Sequence, residues 1–229
     1  MRCFFVLMKI IFFIPLRIIF PFRLIGKARL PKKRTYVTVT NHLAARDVII
    51  LGLYLPGFRY FLAKKELAKR RFIRFWLRMF GAVYIDRQGL DLRGIKECIN
   101  CLKNAPLAIF PEGTRNNVSE EIQEVKGGAA MIAVKAGVDV VPVIIHHRLK
   151  AFRRNFIYVG EKVELPYAKN DRFNTEAMSV CTALMTESMG ESKATLCRLV
   201  AEKGWRKYNR ELKRKKKAER KWEKEKGEI

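Results

Sequence analysis

The sequence predicts a single α/β domain, a mixed and mostly parallel sheet flanked by helices, preceded by a hydrophobic helix or helix pair that associates with a membrane. Three observations predict it. Between Tyr36 and Val159 short β-branched runs alternate with longer segments of helical period, the order that builds a sheet with helices packed on it. A chain of 229 residues holds one full hydrophobic core, and two would be cramped. The first 26 residues, MRCFFVLMKIIFFIPLRIIFPFRLIG, are strongly apolar and carry only basic charges.

That opening run is about as long as a membrane span, which takes roughly 20 apolar residues. Lys9, Pro15, Arg17 and Pro21 interrupt it, and it lacks the small-residue cleavage site of a signal peptide. Charges at that spacing suit a helix or helix pair lying in the interface, its basic side chains snorkelling to lipid phosphates. A true span, with Arg17 near one end, is the alternative. Alternating β-branched residues then predict a strand over Tyr36–Thr40, and a compact apolar stretch a helix over Asp47–Tyr54. Lys64–Phe80 reads as one amphipathic helix, with Phe72, Phe75, Trp76, Met79 and Phe80 among Arg and Lys. Strands follow at Ala82–Asp86, Leu107–Phe110, Asp139–Ile145 and Phe156–Val159, with helices near Leu90–Leu102 and Gly128–Ala136. From Asn174 on the chain is helical, and residues 203–229 carry 13 Lys and Arg against 5 Glu. The expected organisation is a membrane-associating segment over 1–30, a globular domain over 31–202 and a basic helical tail over 203–229.

The balance of 47 Lys and Arg to 22 Asp and Glu gives a formal charge of +25, which attracts polyanions. No acidic residue precedes Asp47, and basic charge mixed into apolar sequence favours a lipid surface over nucleic acid. The tail offers few stacking surfaces, Trp205, Tyr208 and Trp222. Anionic membrane lipids are therefore the expected partner, and no nucleic acid is expected. Five scattered cysteines argue against a disulfide framework and for a reducing compartment. Cys98-x-x-Cys101 has no second pair at zinc-finger spacing and falls in a helical segment, so no metal is expected there.

Two short segments carry the chemistry. In Asn41-His42-Leu43-Ala44-Ala45-Arg46-Asp47, an imidazole sits on a polar turn with a carboxylate five residues on. An imidazole takes a hydroxyl proton, and a carboxylate on its other nitrogen holds the tautomer. Residues five apart lie about 140° apart on a regular helix and share no face. Pairing therefore requires His42 on the turn before the helix, with Asp47 reaching back from its first turn and Asn41 as a candidate cap. The second segment, Phe110-Pro111-Glu112-Gly113-Thr114-Arg115, follows an apolar strand and presents a guanidinium and backbone N–H groups to an anion. Gly81–Arg87 delivers another Arg at a strand end, and Val141-Pro142-Val143 reads on its own as a strand edge.

These four pieces, in this order, resemble the four motifs of the glycerolipid acyltransferase family that includes 1-acylglycerol-3-phosphate acyltransferases. The likeness runs from about Tyr36 to Val143, nearly half of the chain, and the pairing of His-x4-Asp with FPEGTR is its most specific part. Tyr84 in the second motif, where Phe is common, and His146-His147 after the fourth are departures; neither touches the His-Asp pair. The resemblance implies that His42 is the general base and that Asp47 orients it. It implies that Arg87, Glu112, Gly113, Thr114 and Arg115 hold the acceptor phosphate, Glu112 by ordering the loop. Lys126 resembles a position after the third motif, and Asn41, Lys126 and Val141, Pro142 and Val143 are candidates for the substrate and acyl path. The implied reaction moves an acyl group from acyl-CoA or acyl-carrier protein, as co-substrate, to a lysophospholipid, giving phosphatidic acid from 1-acylglycerol 3-phosphate. No cofactor or metal is implied. The same chemistry on another lysophospholipid, glycerol 3-phosphate or a polyol is the alternative within the enzyme class; a non-catalytic basic membrane- or nucleic-acid-binding protein is the alternative outside it. Basic residues flanking the apolar start suggest the cytoplasmic face of the cell membrane. For backbone N–H groups near His42, an oxyanion-binding role is the default expectation.

Overall fold

The structure is a computed structural model that describes residues 2–31, 35–86, 89, 91–166 and 174–227. Helix α1 (Arg2–Ile19) leads into strand β1 (Phe22–Ile25). Then come β2 (Tyr36–Val39), α2 (Asp47–Tyr54), β3 (Tyr60–Lys64), α3 (Arg71–Met79), β4 (Ala82–Ile85), α4 (Leu92–Leu102) and β5 (Leu107–Ile109). The chain continues through α5 (Gly128–Ala136), β6 (Asp139–Ile145), β7 (Asn155–Val159), α6 (Thr175–Ala201) and α7 (Trp205–Gly227). The seven strands form one sheet in the order β1-β7-β6-β2-β5-β3-β4. From β6 to β4 all neighbours are parallel; β7 runs antiparallel to β6, and β1 parallel to β7.

Crossover direction sets the layers. The connections β2-α2-β3 and β3-α3-β4 step one way along the sheet, and β4-α4-β5 and β5-α5-β6 step back. Right-handed crossovers therefore put α2 and α3 on one face and α4 and α5 on the other. The core divides accordingly. One cluster joins Cys98 and Leu102 of α4, Ile132 of α5 and Met185, Met189 and Leu196 of α6 to the sheet. The other joins Ile50 and Leu51 of α2 to Phe22, Phe61, Val141 and Val143. With both faces covered, a central strand such as β2 (YVTV) is buried at every position.

Most elements fall where the sequence pattern puts them, with two strands added. Phe22–Ile25, inside the opening apolar run, is one edge strand of the sheet. Residues 64–80 are not one helix: Lys64 ends β3, a 3₁₀ turn covers Lys65–Lys69, and only Arg71–Met79 is α-helical. Local caps mark other boundaries. Asp91 accepts from Gly94 N–H at 2.9 Å to start α4, and Asn174 accepts from Ala177 N–H at 2.9 Å to start α6. From Thr175 to Gly227 the chain is two helices, broken at Lys203, whose φ is +54°. The start of α7 docks on the sheet edge, where Asn209 accepts from Gly26 N–H at 2.9 Å and donates to Leu24 C=O at 3.4 Å. Among the described residues no helix is long and apolar enough to cross a membrane. Helix α1 nevertheless exposes Leu7, Ile10, Ile11, Phe12, Ile14 and Ile18.

Candidate active site

In a parallel sheet, ligands bind outside the carboxyl ends of the strands where neighbouring connections part to opposite faces. Here that point lies between β2, whose connection goes to α2, and β5, whose connection goes to α5. His42 follows β2 and Glu112 follows β5, so both candidate segments open on this crevice.

The ladder between β2 and β5 closes with Thr40 N–H donating to Ile109 C=O at 3.0 Å. Asn41 then acts as a further rung towards β6: its amide donates to Ile145 C=O at 3.0 Å and accepts from Ile145 N–H at 2.8 Å. Fully buried and engaged, Asn41 aligns the strand ends and does not cap the turn. Asp47 supplies that cap. Its Oδ2 accepts from Leu43 N–H and Ala44 N–H, each at 2.7 Å, and lies 3.1 Å from His42 Nδ1. The five-residue spacing works because His42 is on the turn and Asp47 opens α2. Backbone N–H groups near His42 were the expected oxyanion donors, and two of the nearest, those of Leu43 and Ala44, are committed to Asp47 instead. His42 also stacks on Phe110, ring centroids 4.1 Å apart, and its side chain is 17% exposed.

The Glu112 turn is tied to the same place. Gly113 has φ +74°, a left-handed conformation that a side chain would strain, and a Cβ there would meet the Lys126 side chain at 3.2 Å. Lys126 N–H donates to Pro111 C=O at 2.9 Å, which brings its cation beside Gly113, Thr114 and Arg115. Glu112 points inward and is 2% exposed. Burial pushes its carboxyl up to about 7; the backbone N–H groups of His42 and Gln123 oppose the rise without hydrogen-bonding it in good geometry, and Asp47 adds to it.

Sequence reasoning missed Asn116. It is fully buried, and its N–H donates to His42 C=O at 2.8 Å. Its amide nitrogen donates to Ser119 Oγ and Glu121 C=O, and its Oδ1 accepts from Val118 N–H and Ser119 N–H. Its own carbonyl accepts from Arg148 Nη2 at 3.0 Å. The legible signal was Asn-x-x-Ser, the composition of a side-chain-stabilised turn.

A groove of about 900 Å³ connects these parts. At one end stand His42, Gly113, Thr114, Arg115 and Lys126; the rest, Lys64 and Asn117 apart, is apolar, between Val48, Ile49 and Leu53 of α2, Phe61 and Ala63 of β3, and Ile73, Trp76 and Leu77 of α3. The structure thus gathers His42, Asp47, Glu112, Gly113, Thr114, Arg115 and Lys126. It does not bring Val141, Pro142 and Val143 to the groove: they are buried in the middle of the sheet. Arg87 lies outside the described residues. Cys98 and Cys101 are free thiols on α4, and burial pushes Cys98 up to about 12.

Chemically, the Asp47 carboxylate accepts the Nδ1 proton and leaves the Nε2 lone pair of His42 as a base. A polar end with two cations, joined to a long apolar groove, suits an amphiphile carrying a hydroxyl near an anionic group.

Comparison with known proteins points the same way. A family described as acyltransferase matches residues 21–146. A 1-acyl-sn-glycerol-3-phosphate acyltransferase of Helicobacter pylori is 36% identical over 119 residues, covering 50% of this chain and 49% of its own length. One from Streptococcus pneumoniae is 38% identical over 111 residues, 47% of this chain and 40% of its own. The crystal structure of a 1-acyl-sn-glycerophosphate acyltransferase from Thermotoga maritima aligns with a TM-score of 0.59 and 26% identity, over 83% of this chain and 78% of that one. The matches cover about half the length of the first two relatives.

Proposed function

The chain belongs to the acyltransferase family, and from that footing we propose that it transfers a fatty acyl group from a thioester to the free hydroxyl of 1-acylglycerol 3-phosphate, giving phosphatidic acid. One observation carries this reading: the His42–Asp47 pair stands where a cation-lined end meets an apolar groove of about 900 Å³. His42 Nε2 takes the acceptor's hydroxyl proton, and the oxygen attacks the thioester carbonyl. The carbon–sulfur bond then breaks, and the leaving thiolate recovers the proton from the imidazolium. The acyl group goes directly to the acceptor, with no covalent acyl-enzyme. General base catalysis of this kind supplies about 10²–10⁴-fold.

Arg115 and Lys126 bind the acceptor phosphate, joined by Arg87, and Glu112 holds the turn that carries Arg115. Acyl chains lie between α2 and α3. The donor, acyl-CoA or acyl-carrier protein, is a co-substrate; this reading requires no resident cofactor or metal. The protein works at the surface of an anionic membrane on its cytoplasmic face, a reading supported by the exposed apolar side chains of α1 and the formal charge of +25. The test is transfer of labelled acyl groups from both donors to 1-acylglycerol 3-phosphate in detergent, wild type against His42→Ala. Product from the wild type alone is expected. Failure of the wild type with both donors rejects this acceptor and calls for other lysophospholipids; equal transfer by both proteins sinks the mechanism.

A further inference from the structure

Helix α3 presents three stripes to three environments. Ile73, Trp76 and Leu77 line the groove. At a spacing of three and four residues beside them, Phe72, Phe75 and Met79 form a second stripe, and Arg71, Arg74 and Arg78 a third. Phe72 is 74% exposed and Phe75 57%, with their rings edge-on to Trp76 at 6.2 and 5.9 Å. No residue of this helix is buried. Residues 64–78 hold seven Lys and Arg and a single acid, Glu66, which pairs with Lys64 at 2.9 Å. Crossover handedness puts α3 on the same face as α2, whose Ile49 lines the groove and is 47% exposed; α2 in turn touches α1, which exposes an apolar surface of its own.

We propose that Phe72 and Phe75, flanked by Arg71, Arg74 and Arg78, are an anionic-lipid docking surface that seats the groove between α2 and α3 against the membrane, so that acyl chains pass from bilayer to active site without crossing water. The proposal rests on the acyltransferase reading. Charge selects the occupant: a stripe of guanidinium groups flanking two exposed phenyl rings matches a phosphate headgroup layer over hydrocarbon, with the arginines snorkelling upward and the rings below them. Contact of both rings with Trp76 makes the lipid-facing surface continuous with the groove wall.

The test uses the full chain, with vesicles of phosphatidylcholine alone or mixed with phosphatidylglycerol. Three variants serve, F72S/F75S, R71Q/R74Q/R78Q and R71K/R74K/R78K, none of which touches the catalytic pair. Each basic residue near an anionic surface contributes about fivefold in affinity, so the glutamine triple is expected to lose about a hundredfold on mixed vesicles, with the lysine triple close to wild type. F72S/F75S is expected to weaken binding to both vesicle types. Every variant is expected to keep wild-type transfer in detergent and to lose transfer to vesicle-borne acceptor in proportion to binding. Wild-type vesicle binding by both the glutamine and serine variants overturns the proposal. So does loss of transfer from an acyl-carrier-protein donor with vesicle binding intact, which assigns the surface to the donor protein. No transfer in detergent by the wild type would instead refute the acyltransferase reading and leave the vesicle result to stand by itself.

Discussion

Replacing Asp47 by Asn changes one charge and almost no volume, and two separate costs follow. One carboxylate oxygen carries three donors, His42 Nδ1 at 3.1 Å and the N–H groups of Leu43 and Ala44 at 2.7 Å, while the other has no hydrogen-bond partner. Turning three charge-assisted bonds into neutral ones removes about 1 kcal/mol each, so about 3 kcal/mol of stability. For a chain of this size that is a melting temperature lower by about 6–12 °C. The catalytic cost is larger. Without the carboxylate, the imidazolium formed as His42 takes the proton has no counter-charge, and a comparable carboxylate-to-amide change in a histidine–aspartate pair lowers turnover by about 10⁴. Transfer rates are measured in detergent below the lowered melting temperature, for D47N, H42A and the double variant. Because the two side chains act as one unit, the double variant should lose little more than H42A alone. Multiplying losses, or D47N within tenfold of wild type, would refute the pairing as the base.

Other expectations follow from the same geometry. Glu112, raised by burial to about 7, keeps its proton in the folded protein while the unfolded chain releases it near the usual carboxylate value of 4.5. Stability from this group therefore falls as pH rises from about 4.5 to about 7. E112Q should flatten that slope in melting curves; parallel curves would show that Glu112 is not the source. Arg115→Ala and Lys126→Ala should each raise KM for the phosphate acceptor about five- to tenfold with less effect on kcat, as expected for exposed charge-assisted contacts. A rise in donor KM instead would assign the cations to the donor. Ala63 of β3 lines the apolar groove, so A63W should block long acyl chains while an acetyl thioester is still used. Equal use of both chain lengths would move the acyl path elsewhere.

The site was more legible than its surroundings. His42 and Asp47 share one short segment and Glu112–Arg115 another, and the angular argument for a turn before the helix describes the geometry found. Features assembled from distant segments were not legible. The groove wall takes residues from α2, β3 and α3, none of which carries a local signature. Strand β3 was hidden because FLAK runs straight into the basic stretch that opens the helical pattern, and β1 because an edge strand of apolar residues reads like the end of the anchor before it. Val141–Val143 was expected on the acyl path because it resembles the family's fourth motif, and on its own it read as a strand edge; it lies in an interior strand, and it is apolar because that strand is buried on both faces. Asn41 was read as a cap and serves as a ladder rung, a role that depends on a partner 104 residues away.

The pairing of β1 with β7 has a consequence for the order of assembly. Phe22 sits opposite Asn155, and α7 closes over the same edge through Asn209, so one margin of the sheet is built from the beginning and the end of the described chain. Such sequence-distant contacts are slow to form, and here they cannot form at all before β7 has left the ribosome. Helix α1 emerges long before that, free of its partners in the sheet. In a growing chain it is free to meet other surfaces first, and on the membrane reading proposed above the rest of the fold is then completed at the lipid.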